Sequence, residues 1–71
     1  MPRRIEAQSN DPGAAAQEIL EQVNYADEPA DMVFTGEIGE RHCRDLTVEV
    51  QPGTPPGDVI KALRRAADEQ R

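Results

Sequence analysis

Apolar residues recur along this chain in two different periods, and the changes of period divide it into five elements. From Arg4 to Gln8 polar and apolar residues alternate, with Ile5 and Ala7 on one side, the pattern of a short strand. Ser9-Asn10-Asp11-Pro12-Gly13 ends it. Asp11 can cap free backbone N–H groups, and Pro12, whose φ is already helical, suits the first helical position, so a helix is predicted to begin at Pro12. Ala15, Ala16, Ile19, Leu20 and Val23 then recur at spacings of three and four in one stripe, with Gln17, Glu18, Glu21 and Gln22 opposite. The run from Asn24 to Asp31 has no pattern and contains Asp27, Glu28 and Pro29. The helix is therefore expected to stop near Asn24 or Tyr25, and an acidic loop to follow.

Two further stretches read at period two, one through Met32, Phe34 and Ile38 with Gly36 interrupting it, the other through Leu46, Val48 and Val50. Gly39 to Asp45 is the expected hairpin connection, longer than a two-residue turn. Pro52-Gly53-Thr54 reads as a turn, and Thr54 before Pro55, with Asp58 in the first turn, repeats the capping logic of the first helix. Val59, Ile60, Leu63, Ala66 and Ala67 form the last stripe, opposite Lys61, Arg64 and Arg65. The order strand, helix, strand, strand, helix predicts a small α+β two-layer sandwich: a three-stranded sheet with both helices on one face. The 71 residues suffice for a single domain, 1–71, with residues 1–3 and 69–71 expected to fray. Its core is built almost wholly from aliphatic side chains, since the aromatics are Tyr25 and Phe34, and such a small monomer is expected to be marginally stable.

Charge changes this picture. No lysine or arginine occurs between Arg4 and Arg41, while that window holds Glu6, Asp11, Glu18, Glu21, Asp27, Glu28, Asp31, Glu37 and Glu40. The formal net charge is −6. A field of one sign repels nucleic acid and anionic membranes and attracts basic surfaces, so the expected partner is a protein with a basic surface, with no direct nucleic acid and no membrane. Strand parity sharpens the expectation. If the helices take one face of the sheet, the other receives Arg4, Glu6 and Gln8, then Val33, Thr35 and Glu37, then Thr47, Glu49 and Gln51. Each strand contributes one glutamate. Glu6, Glu37 and Glu49 are therefore the candidate partner-binding residues, and the loop residues Asp27, Glu28 and Asp31 are the alternative docking element.

No catalytic, metal or cofactor site is expected. A carboxylate acid/base pair needs one desolvated member, and nothing apolar surrounds these residues in sequence. Asp27-Glu28-Pro29-Ala30-Asp31 does not match a calcium loop. His42 and Cys43 are neighbours, so in an extended strand they point to opposite sides. The expected roles are a solvated loop histidine and a partly buried small apolar cysteine at the end of the hairpin. A cation toward a helix C-terminus suits the dipole, the simplest role for Lys61, Arg64 and Arg65. The single cysteine rules out an intramolecular disulfide. With no apolar N-terminal run, it fits a reducing cytoplasmic setting, and no stretch approaches the ~20 apolar residues of a membrane span.

Two local resemblances add to this reading. The short strand followed by Ser9-Asn10-Asp11-Pro12-Gly13-Ala14-Ala15-Ala16 resembles the strand-to-helix junction of small phage-encoded anti-CRISPR proteins of the type I systems. That resemblance implies a non-enzymatic inhibitor that binds a CRISPR effector complex in the host cytoplasm. Leu46 to Leu63 resembles the strand, turn and helix of ubiquitin-like folds, without the later strands or a terminal Gly-Gly. The resulting expectation is an acidic protein-binding module of the inhibitor type. The alternative is a small accessory or structural subunit of a bacterial or phage assembly, in which a homodimer is one arrangement.

Overall fold

The computed structural model describes residues 3–70 and contains β1 (Arg3–Ser9), α1 (Pro12–Ala26), β2 (Ala30–Ile38), β3 (Arg41–Val50) and α2 (Pro56–Glu69). The sheet order is β1-β2-β3, with β1 parallel and β3 antiparallel to the central β2. This is the expected α+β sandwich, with a mixed three-stranded sheet and both helices packed on it. Met1, Pro2 and Arg71, expected among the frayed ends, lie outside the described residues. Within those ends Arg3 opens β1 and Glu69 closes α2.

α1 starts as its sequence dictates. The Asp11 carboxylate accepts from the Gly13 N–H at 3.0 Å, and Pro12 occupies the first turn. The helix ends slightly later than expected, at Ala26, because Asp27 takes a left-handed conformation (φ 55°). Its N–H donates to the Asn24 carbonyl and that of Glu28 to the Val23 carbonyl, a Schellman closure followed by Pro29. β2 begins at once at Ala30, so the acidic loop is shorter than predicted and Asp31 belongs to a strand.

α2 departs from its expected cap. Pro56 forces the residue before it out of the helical region, and Pro55 is extended (φ −64°, ψ 144°). The helix therefore begins at Pro56, and no side chain, Thr54 included, caps it. Nor do Lys61, Arg64 and Arg65 serve its C-terminus: the last turn carries no basic residue of its own. Arg41, from the start of β3, supplies the cation, donating to the Ala67 carbonyl at 3.2 Å and pairing with Asp68 at 3.4 Å.

The hairpin corrects the sequence reading most. Gly39-Glu40 forms a two-residue turn with Gly39 at φ 64°, and pairing resumes at Arg41 opposite Ile38. A β-bulge follows. Phe34 pairs with Leu46 but Gly36 pairs with Cys43, leaving Arg44 and Asp45 opposite Thr35. Asp45 adopts φ 55°, and its N–H donates to Thr35 Oγ1 at 3.2 Å. The extra residue lets Cys43 and Leu46, three apart, both face the helices. Cys43 is accordingly buried and His42 is an exposed strand residue, where a loop was expected.

The core lies between sheet and helices: Ala15, Ala16, Ile19, Leu20 and Val23 of α1 and Val59, Leu63 and Ala67 of α2 cover Ala30, Met32, Phe34, Ile38, Cys43, Leu46 and Val50. Ile5, Ala7, Val48, Ile60 and Ala66 are only partly buried at its margin. Gly36 is required by this arrangement. Its φ is 156°, and a Cβ there would overlap the Ser9 carbonyl oxygen at the end of β1.

Candidate docking face

The register assembles the sheet face that no helix covers into four cross-strand rows. Arg4, Asp31 and Glu49 form the first; Glu6, Val33 and Thr47 the second; Gln8 and Thr35 meet the bulge residues Arg44 and Asp45 in the third; Glu37 and His42 form the fourth. Glu6, Glu37 and Glu49 thus share one face, as strand parity requires, and all three are exposed. They occupy three different rows rather than one cluster.

The second candidate set divides. Asp31 leaves its expected loop and sits on the open face, directly opposite Glu49 and beside Arg4 in register. Asp27 is committed by its backbone to closing α1, and Glu28 stays in the short connection behind it. Sequence reasoning missed Asp45, Arg44 and His42 as members of this face. The signal was present in the odd spacing from Cys43 to Leu46, which a continuous strand accommodates only with a bulge.

The open face therefore carries Glu6, Asp31, Glu37, Asp45 and Glu49 against Arg4 and Arg44. Among the described residues the only ion pair is Arg41–Asp68, at α2, so none of these five carboxylates is in an ion pair. Glu49 accepts from Gln51 Nε2 at 2.8 Å. Val33 is the apolar residue on this face; it is buried, with Glu6 and Thr47 beside it in register, and lies outside the cluster under the helices. Like charges directly opposed across strands, as at Asp31 and Glu49, cost roughly 0.2–1 kcal/mol, which an incoming cation would recover.

The surface is shallow. A depression of about 50 Å³ lies among Glu6, Gln8, Val33, Thr35 and Asp45. A wider cleft of about 390 Å³ lies beyond it, where Gln8, Ser9, Asn10, Thr35, Gly36 and His42 meet at the C-terminal ends of the parallel strands. Apart from Gly36 its lining residues are of polar type, and none is a carboxylate. Among the described residues, no three histidine, cysteine or acidic side chains are grouped to hold a metal ion, and no helix is long and apolar enough to cross a membrane. Cys43 and His42 point to opposite faces and do not act together. Comparison with family models, curated proteins and solved structures gives no match to this chain.

Proposed function

We propose that this chain is a non-enzymatic, acidic protein-binding module whose open sheet face docks on a basic surface of another protein. The observation that carries the reading is the face itself, on which five carboxylates oppose two arginines and none of the five has an ion-pair partner among the described residues. Such a face complements a cationic, nucleic-acid-binding groove, because its carboxylates present negative charge across a flat span as phosphates do. The depression on the face, about 50 Å³, is far smaller than a small-molecule pocket. Tyr25 is the only large hydrophobic residue exposed among those described, which favours charge complementarity over an apolar interface.

The most concrete form of this reading is an inhibitor of the phage anti-CRISPR type acting in the host cytoplasm. It rests on the resemblance of the Ser9–Ala16 junction and on the charge of the docking face. A purified type I effector complex provides the test. Increasing amounts of the chain should release DNA from the complex in proportion to occupancy. Glu6→Lys, Glu37→Lys and Glu49→Lys together should abolish this effect with the fold intact, whereas Asp27→Lys with Glu28→Lys should leave it. Unimpeded DNA binding at saturating chain would remove the inhibitor reading. Binding to a basic protein that survives the triple reversal would remove the docking face.

A further inference from the structure

β1 is an edge strand, and its free edge differs from the other edge of the sheet. The edge at β3 is interrupted by the bulge at Arg44 and Asp45, and the Gln70 side chain donates to the Arg44 carbonyl at 3.0 Å. Bulges and covering groups of this kind protect an edge from further pairing. β1 runs regularly from Arg3 to Ser9 with no bulge in its pairing to β2, and no strand or helix lies beyond it in the sheet order. On its helix side Ile5 and Ala7 remain only partly buried.

We infer that β1 pairs antiparallel with β1 of a second copy of this chain, with Ile5 on the two-fold axis, to form a six-stranded sheet. The register follows from symmetry and charge. A two-fold axis normal to the sheet keeps all helices on one side, and each residue then lies opposite one of the same strand parity. Placing Arg4 on the axis opposes two arginines, and placing Glu6 there opposes two glutamates. Placing Ala7 there gives an overlap no longer than Ile5 does and matches Glu6 only with the neutral Gln8. With Ile5 on the axis, Arg4 of each copy lies opposite Glu6 of the other on the open face, and the two Ile5 side chains meet on the helix side. Like charges directly opposite are destabilising and opposite charges stabilising, so this register is selected over its neighbours. Symmetry counts the Arg4–Glu6 contact twice.

The pairing draws Glu6 and Arg4 of the docking face into the dimer contact, while Asp31, Glu37, Asp45 and Glu49 lie on β2 and β3 and stay free for a partner. Net charge of −6 on each copy opposes association at low ionic strength, so physiological salt is the condition for the test. The full chain should sediment as a dimer at high micromolar concentration. Arg4→Glu or Glu6→Arg alone should weaken the dimer by roughly tenfold or more, because each places like charges opposite one another at two symmetric positions. Circular dichroism should remain unchanged, both side chains being exposed. The double variant Arg4→Glu with Glu6→Arg should restore the dimer. An equimolar mixture of the two single variants should form a heterodimer, since one then carries two acidic and the other two basic residues. A chain monomeric at every concentration would overturn the inference and leave the arginines as guards of the edge. A dimer indifferent to the single reversals, or not recovered by the double variant and the mixture, would overturn it as well.

Discussion

The two faces of the central strand make an internal comparison. On one side β2 presents Ala30, Met32, Phe34, Gly36 and Ile38, all buried under the helices; on the other it presents Asp31, Val33, Thr35 and Glu37, two of them charged. Both sets come from nine consecutive residues. The difference shows that the chain commits its limited apolar content to one layer and leaves the second side of the sheet for solvent or a partner. Substitutions on the two faces should accordingly differ in kind: those beneath the helices act on stability, those on the open face on binding.

The largest expected effect is at Gly36. Adding a Cβ pushes into the Ser9 carbonyl at a φ unfavourable to L side chains, so Gly36→Ala should cost more than about 3 kcal/mol, a large part of the stability of a domain this small. Loss of the cooperative melting transition would report it; an unchanged melt would mean that β1 and β2 can separate at that end. Next comes a matched pair of valines, both below 5% exposed. Val50 belongs to the cluster under the helices and Val33 does not. Denaturant unfolding should give about 2–3 kcal/mol for Val50→Ala and about 1 kcal/mol for Val33→Ala. Equal losses would erase the distinction between the faces as far as stability is concerned. The smallest effect has the opposite sign. Glu49→Lys converts the opposed Asp31 and Glu49 into an attractive pair and should stabilise by a few tenths of a kcal/mol, a gain that added salt removes.

How much of this was legible in the sequence depends on whether a local rule acted alone. The Asp11-Pro12 start of α1, the helical stripes and the parity of Glu6, Glu37 and Glu49 follow from short-range geometry and hold in the fold. The hairpin is not legible in the sequence, because the bulge at Arg44 and Asp45 breaks the two-residue period and sets the core positions Cys43 and Leu46 three apart. Asp31 groups in sequence with its acidic neighbours, although the left-handed Asp27 ends α1 sharply enough for β2 to start at Ala30. The cap of α2 was misplaced by one residue because the constraint that Pro56 puts on Pro55 outweighs the capping preference of Thr54. Pairing of Arg41 with the end of α2 has a sequence separation of 26 or 27 residues and left no local trace.

If the open sheet face docks on basic surfaces as proposed, cationic partners should bind there rather than on the acidic outer side of α1. Amide chemical-shift mapping during titration with a short oligolysine peptide tests it without knowledge of the natural partner. Perturbations should concentrate at Glu6, Asp31, Glu37, Asp45 and Glu49 and fade as salt is added, since exposed charges are screened beyond about 8–10 Å near physiological ionic strength. Perturbations centred on Glu18, Glu21, Asp27 and Glu28, with the five strand and bulge positions unmoved, would place cation binding on the helix side and rule out the open face.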